Sequence, residues 1–64
     1  MNRIAMLRKE KGLSQISLSL KLNVSQKMIS AYENGKSEPS IATLMQMADI
    51  FNTSVDYIIG YTNI

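Results

Sequence analysis

The feature that most constrains the fold is one segment in the first half of the chain, LSQISLSLKLNVSQKMISAYENG. Ser14 and Ser25 both stand where a helix should begin, because a serine side chain caps the exposed amides of a first turn. Asn23 lies between them and tolerates a positive φ better than most residues other than glycine. The segment therefore predicts two short helices, at about residues 15–22 and 26–34, joined by a tight turn.

The apolar residues of this segment are spaced so that both helices bury one side. Leu18 and Leu22 are four residues apart in the first helix, and Ile29 and Tyr32 are three apart in the second. These spacings place each pair on a single helical face. Val24, in the turn, is expected to enter the same core, so the two helices are predicted to pack as one rigid unit.

Similar signals predict three further helices, which makes the expected fold all-α with five helices in a single domain over residues 1–64. Each pairs a capping residue with a residue suited to ending a helix, in the order Asn2 with Gly12, Ser40 with Asn52, and Ser54 with Gly60. The helix capped by Asn2 should span about residues 2–11, and the helix capped by Ser40 should span residues 41–51. The helix at residues 41–51 is expected to bury a wide apolar face made of Ile41, Leu44, Met45, Met47, Ala48 and Phe51.

The composition excludes several classes of function. The chain of 64 residues has no cysteine and no histidine, which argues against disulfides, the usual zinc sites and imidazole-assisted nucleophiles. The carboxylates are scattered and there is no glycine-rich phosphate loop, so we expect neither an enzyme nor a metal or cofactor. No apolar run approaches the ~20 residues of a membrane span, and the expectation is a soluble cytoplasmic protein.

The net charge of +2 is divided unevenly along the chain. Residues 1–32 carry six basic residues against one acidic residue, whereas residues 33–64 carry one basic residue against four acidic ones. Such polarity favours a polyanionic partner on one side of the molecule. The alternative is that the lysines only solvate a small domain.

Four motifs together point to a family. They are Gly12-Leu13-Ser14-Gln15, Tyr32-Glu33-Asn34-Gly35, Pro39-Ser40, and Ser54-Val55-Asp56 through Ile59-Gly60. With them, about residues 3–60 resemble the helix-turn-helix domain of phage-repressor and Xre-type transcriptional regulators, which has the lambda-repressor-like fold. The resemblance implies a sequence-specific regulator of transcription, with a repressor as the expected role, that binds double-stranded DNA through its third helix, the recognition helix.

The side chains near the start of this recognition helix suit the reading of base edges in the major groove. Gln26 can pair with adenine, Lys27 can donate to guanine, Ser30 can reach either kind of edge, and Ala31 can contact a thymine methyl group. Their alternative role is the solvated face of a helix. Phosphate contacts, which position a protein without reading sequence, are expected from Ser14, Gln15, Ser25, Asn34 and Lys36, of which Gln15 follows from the resemblance.

The resemblance also implies a structural ion pair and a dimer. Arg8 and Glu33 are expected to form a partly buried pair that ties the first helix to the end of the recognition helix. A domain with so few base contacts reads about half an operator, so a homodimer on a pseudo-palindromic site is expected. Its interface is predicted near the last helix and the tail 61–64, at Val55, Tyr57, Ile58 and Tyr61.

Ile16 and Leu20 depart from the family pattern, which more often has polar residues at these places. They are four residues apart and share one side of the second helix. One interpretation is extra packing against neighbouring helices. The other is a contact site for a protein partner, which would favour an antitoxin or adaptor-type interaction module with secondary DNA binding as the alternative function.

Overall fold

The computed structural model describes residues 2–63, and within this range the chain forms five α-helices and no strand. In order, they are α1 (Ile4–Glu10), α2 (Gln15–Leu22), α3 (Gln26–Glu33), α4 (Ile41–Phe51) and α5 (Val55–Ile59). The predicted all-α fold with five helices is confirmed. None of these described helices is both long and apolar enough to cross a lipid bilayer.

Four of the helices begin at a serine, as the sequence indicates. The hydroxyl oxygen of each serine accepts a hydrogen bond from the backbone amide three residues later, in the pairs Ser14–Ser17, Ser25–Met28, Ser40–Thr43 and Ser54–Tyr57. A cap of this kind stabilises a helix by about 1 kcal/mol. In helices of five to eleven residues, this local contribution is needed because such short helices are not stable alone.

The helix ends follow the predicted chemistry with one difference, at the start of α1. Asn23 ends α2 in the left-handed conformation, with φ of 57°. At the end of α3 the left-handed residue is Gly35, whereas Asn34 stays right-handed, because glycine has no Cβ and adopts positive φ at lower cost. Asn2 does not cap the first helix directly: Arg3 holds that position, and the Asn2 Oδ1 accepts a bond from the Ile4 amide at 3.0 Å.

A single core lies where the five helices meet. Every described helix contributes to it, through Ile4, Leu7, Leu18, Leu22, Ile29, Tyr32, Met47, Phe51 and Ile58. Leu13, Val24 and Tyr57 are half-buried against it. Since α2 and α3 share this core along their inner sides, their outer sides are held in fixed relative orientation.

The wide apolar face predicted for α4 is confirmed only in part. Met47 and Phe51 are buried and Leu44 is half-buried, but Ile41 and Met45 are exposed. The reason is that α4 has α2 and α5 as its main packing partners. A helix covered from one side buries only that stripe, and Ile41 and Met45 lie four residues apart on another part of its circumference.

Candidate nucleic-acid interface

The outer side of α3 carries the side chains predicted to contact DNA. Gln26 and Lys27 are exposed at its N-terminal end, and Ser30 and Ala31 are half-buried one turn later. A shallow, open depression of about 230 Å³ is lined by Lys27, Ser30, Ala31, Asn34 and Lys36. The fold thus places three predicted base contacts beside two predicted phosphate contacts on one surface.

Gln15 connects α2 to both ends of α3. Its Nε2 donates to Glu33 Oε1 at 3.0 Å, and its Oε1 accepts from Gln26 Nε2 at 3.4 Å. Gln15 was predicted to contact a phosphate from the start of α2, where a helix N-terminus also favours an anion. The structure adds that Gln15 orients the first side chain of the predicted recognition helix.

The two serines predicted to contact phosphate are used as helix caps. Ser25 accepts from the Met28 amide at 3.0 Å, and Ser14 accepts from the Ser17 amide at 2.9 Å. The Ser14 hydroxyl also donates to Ser17 Oγ at 2.9 Å. A phosphate at Ser14 would therefore have to compete with Ser17 for that hydroxyl hydrogen. Ser14 and Ser25 are both exposed to an approaching DNA backbone.

Arg8 and Glu33 form the expected ion pair. Arg8 Nε lies 2.6 Å from Glu33 Oε2, and Nη2 donates to Glu33 Oε1 at 3.3 Å. Arg8 Nη1 donates to the Leu13 carbonyl at 2.8 Å, so the guanidinium joins α1, the start of the turn before α2, and α3. The two side chains are only 11% and 8% exposed. Arg8 therefore belongs to the scaffold, with its guanidinium already bonded to groups of the domain itself.

The ion pair between Arg8 and Glu33 makes the stability of the fold sensitive to pH in the acidic range. Burial by itself raises the pKa of Glu33, but hydrogen bonds from Arg8 and Gln15 and the charges of Arg8 and Lys9 outweigh it. The pKa of folded Glu33 is therefore below its ordinary value of 4.5. The unfolded state then binds this proton more tightly, so the stabilisation is complete above about pH 4.5 and is lost as pH falls through the folded pKa.

We expect the unfolding free energy of the wild-type protein to fall between pH 5 and pH 3 more steeply than that of Glu33→Gln. The glutamine keeps the size of the side chain and has no carboxylate to titrate. Urea unfolding at a series of pH values measures both slopes. Parallel curves for the two proteins would show that Glu33 contributes nothing to acid sensitivity.

Both arginines of the chain are engaged in internal contacts. Arg8 binds Glu33, and the guanidinium of Arg3 donates to carbonyl groups near the other end of the chain. In the sequence Arg3 looks like a free positive charge, because its partners lie 54 or more residues away and leave no local signal. The exposed cations of the described residues are all lysines: Lys9, Lys11, Lys21, Lys27 and Lys36.

The side chains predicted at a dimer interface are not equally accessible. Tyr61 is 81% exposed, and Val55 and Tyr57 are half-buried. Ile58 has 0% exposure and its place in the interface is wrong, because it faces the core of its own domain. The neighbouring Ile59, which was not among the predicted interface residues, is exposed instead. Ile64, at the end of the predicted tail contact, lies outside the described residues.

Ile16 and Leu20 are exposed on the outside of α2, at 54% and 77%. The interpretation that they add packing against neighbouring helices is therefore wrong. The inner side of α2 is filled by Leu18, Ser19 and Leu22, and Ile16 and Leu20 lie outside this buried side.

Comparison with known proteins identifies the family. The helix-turn-helix family model matches residues 4–58. The uncharacterized HTH-type transcriptional regulator YqaE of Bacillus subtilis (strain 168) is 36% identical over 52 residues, which cover 81% of this chain and 45% of YqaE. The HTH-type transcriptional regulator ImmR of the same organism is 31% identical over 58 residues, which cover 91% of this chain and 46% of ImmR.

The fold is shared with a solved structure as well. A crystal structure of a transcriptional regulator from Listeria innocua matches with a TM-score of 0.83 and 32% identity, over 94% of this chain and 56% of that one. The chain spans about half the length of the curated relatives YqaE and ImmR. The family match over residues 4–58 and the shared five-helix fold show that the chain belongs to the helix-turn-helix family of DNA-binding transcriptional regulators, of the Xre type.

Proposed function

We propose that this domain binds a specific double-stranded DNA operator with α3 in the major groove. The observation that carries the proposal is the surface of α3, where Lys27, Ser30 and Ala31 line one depression together with Asn34 and Lys36. Base-edge contacts and phosphate contacts have to be made side by side when a helix enters the groove. The outer side of α3 meets this requirement, because it carries candidates for both kinds of contact.

Gln26 has the most defined role in this proposal. Its amide can donate to N7 and accept from N6 of adenine, which is a bidentate pairing with one base. Its hydrogen bond to Gln15 is long, at 3.4 Å, and therefore weak. Gln26 can either keep this bond or give it up for a bond to the base. Gln15 is proposed to hold Gln26 and, through the remaining hydrogen of its own amide, to contact a phosphate.

The remaining phosphate contacts are assigned to Lys36, Asn34, Ser25 and Ser14. Lys36 is exposed and supplies a full charge at the far end of α3. Ser25 and Ser14 lie at the starts of α3 and α2, where exposed backbone amides and the helix dipole favour an anion. These contacts fix the register of α3 in the groove and carry no sequence preference.

We further propose that the domain acts as a homodimer on a pseudo-palindromic operator and represses transcription by excluding polymerase. One short recognition helix reads only a half-site, and a two-fold dimer places two such helices about one helical turn of DNA apart. Tyr61, Tyr57 and Val55 are retained as interface residues, and Ile59 is added because it is exposed beside them.

In-vitro selection from a random DNA pool is the experiment that tests this function. We expect the selected sequences to contain two inverted half-sites whose centres are about 10–11 base pairs, or a multiple of that, apart. A single half-site without a partner would contradict the dimer. A pool that shows no enrichment would contradict sequence-specific binding itself.

The exposure of Ile16 and Leu20 favours a second function, in which the main partner is a protein and DNA binding is secondary, as in an antitoxin or an adaptor. The salt dependence of binding distinguishes these two functions. DNA held through several phosphates releases counterions, so its affinity falls steeply as salt rises. A protein partner held by these apolar side chains should bind with little response to salt, and it should be lost in Leu20→Ser.

A further inference from the structure

Four side chains from three helices form a hydrogen-bond network that converges on the Glu33 carboxylate. Arg8 of α1 donates to this carboxylate from Nε and Nη2, and Gln15 of α2 donates to Glu33 Oε1 from Nε2 at 3.0 Å. Gln26, at the start of α3, donates from its own Nε2 to Gln15 Oε1 at 3.4 Å. Gln26 is exposed on the predicted DNA-binding side, so the network connects that side to the interior of the domain.

The chemistry of Glu33 fixes the direction of these hydrogen bonds. The pKa of Glu33 is below its ordinary value of 4.5, so the carboxylate is ionised at neutral pH and can only accept. An amide side chain has both a donor and an acceptor, and Gln15 must therefore turn its Nε2 toward Glu33. Its Oε1 is then the atom left for Gln26, and Gln26 must donate to it.

The Glu33 end of the network is held rigidly. The side chains of Arg8 and Glu33 are 11% and 8% exposed, with Arg8 Nε 2.6 Å from Glu33 Oε2. Gln15 is half-buried beside them. A guanidinium has no acceptor, so Arg8 also requires the carboxylate to accept. The direction of the hydrogen bonds is therefore set inside the domain before DNA is bound.

The orientation of the Gln26 amide decides which purine it matches. When one Nε2 hydrogen is bonded to Gln15, the amide has Oε1 and its second Nε2 hydrogen left for a base. Adenine presents a donor and an acceptor in the major groove, at N6 and N7, whereas guanine presents two acceptors, at O6 and N7. The amide of Gln26 therefore matches adenine, and on guanine its Oε1 would oppose a second acceptor.

We propose that Glu33 determines specificity by acting through Gln15 to make Gln26 select adenine over guanine. This inference rests on the proposed contact between Gln26 and a base, and it names the group that sets the direction of that contact. Glu33 is a positioning residue and does not itself touch the DNA. With the Gln15 amide turned over, its Nε2 would donate to Gln26 Oε1, and the Nε2 hydrogens of Gln26 would be left for the two acceptors of guanine.

Glu33→Gln is the informative replacement because it keeps the size of the side chain and adds a donor. Arg8 Nε can retain the oxygen of this glutamine, which leaves the new amide nitrogen facing Gln15 and allows the Gln15 amide to turn over. Gln15→Met breaks the link and leaves the pair of Arg8 and Glu33 in place. Glu10→Gln is the matched control, since it removes one negative charge from an exposed carboxylate of α1.

The test compares the affinities of each protein for two operators that differ at one base pair. This is the position at which Gln26→Ala relaxes preference, and it carries adenine in one operator and guanine in the other. In Glu33→Gln and Gln15→Met we expect the preference for adenine over guanine to fall about fivefold, the size of losing one hydrogen bond. Preferences at other base positions should stay unchanged, and Glu10→Gln should keep the wild-type ratio.

A structural role for Glu33 alone would not change this ratio, since loss of folded protein lowers the affinity for both operators equally. Circular dichroism at the assay temperature measures the folded fraction of each variant. When Gln26→Ala is combined with Glu33→Gln, the second substitution should no longer affect the ratio, because no base contact is left to orient. An effect that persists in this double variant overturns the inference.

The outcomes distinguish this inference from the contact on which it rests. If Gln26→Ala relaxes preference at no position, Gln26 is not a base contact, and the inference fails with it. If Gln26→Ala loses the preference for adenine but Glu33→Gln or Gln15→Met keeps the wild-type ratio, the contact stands and the role of Glu33 is overturned. If Glu33→Gln does not fold, Arg8→Met with Glu33→Leu replaces it, because this double variant removes the acceptor without leaving a buried charge.

Discussion

Replacing Arg8 with alanine should destabilise the fold by about 3–5 kcal/mol, because it leaves the Glu33 carboxylate buried without its partner. The lost contacts are the two bonds to Glu33 and the bond from Arg8 to the Leu13 carbonyl. The total stability of a small domain is about 5–15 kcal/mol, so the variant should approach unfolding. Its melting temperature should fall by more than about 12 °C, at about 4 °C or more for each kcal/mol in a domain of this size. Thermal and urea unfolding measure the effect.

The double variant Arg8→Met with Glu33→Leu is the control for this prediction. It removes both charges and restores apolar contact, so it should recover a large part of the stability that Arg8→Ala loses. The Arg8 Nε and Glu33 Oε2 atoms are 2.6 Å apart and both side chains are largely buried. An Arg8→Ala protein that melts like the wild type would nevertheless show that the pair adds nothing to stability.

Replacing Gln26 with alanine should weaken binding to the preferred operator by about 1–3 kcal/mol per half-site and relax preference at one base position. The physical reason is the loss of a bidentate pairing with one base. Lys36→Ala should instead weaken binding to all sequences alike and lower the slope of log K against log salt by about one. Titrations of specific and random DNA over a salt series measure both effects.

Gln46→Ala, at an exposed glutamine of α4, is the matched control for the loss of an amide side chain. It should bind the operator like the wild type. If Gln26→Ala loses affinity equally on specific and random DNA, Gln26 is not a base contact. In that case sequence reading would have to be assigned to Lys27 and Ser30.

The helices and their ends were predictable because their signals are local. A serine cap acts within three residues, and an asparagine such as Asn23 enters the left-handed region through its own backbone preferences. The inner sides of α2 and α3 follow from helical periodicity alone, and Leu18 and Ile29 are buried as predicted. The chemistry of the α3 surface was likewise readable, because exposed positions between core positions follow from the same period.

Whether an apolar side chain at the edge of the core is buried was not predictable in this way. Ile16, Leu20, Ile41 and Met45 have the spacing of core residues, but a domain this small packs only one side of each helix. The nine buried core side chains found within residues 2–63 come from other positions. Ile58 shows the reverse error, since nothing in the sequence marks which residue of a five-residue helix faces inward.

The sequence by itself determined the five helices, the four serine caps, the inner sides of α2 and α3, and the set of side chains on the outer side of α3. Only the tertiary structure decided which charged and polar side chains are already engaged. Gln15 bonds to Glu33 and Gln26, and Arg3 to residues 57–63, because folding brings together groups that lie between 11 and 60 residues apart. Hydrogen bonds at such separations depend on the packing of the helices and leave no trace in local periodicity. For this reason both arginines, which look like free positive charges in the sequence, are structural in the fold.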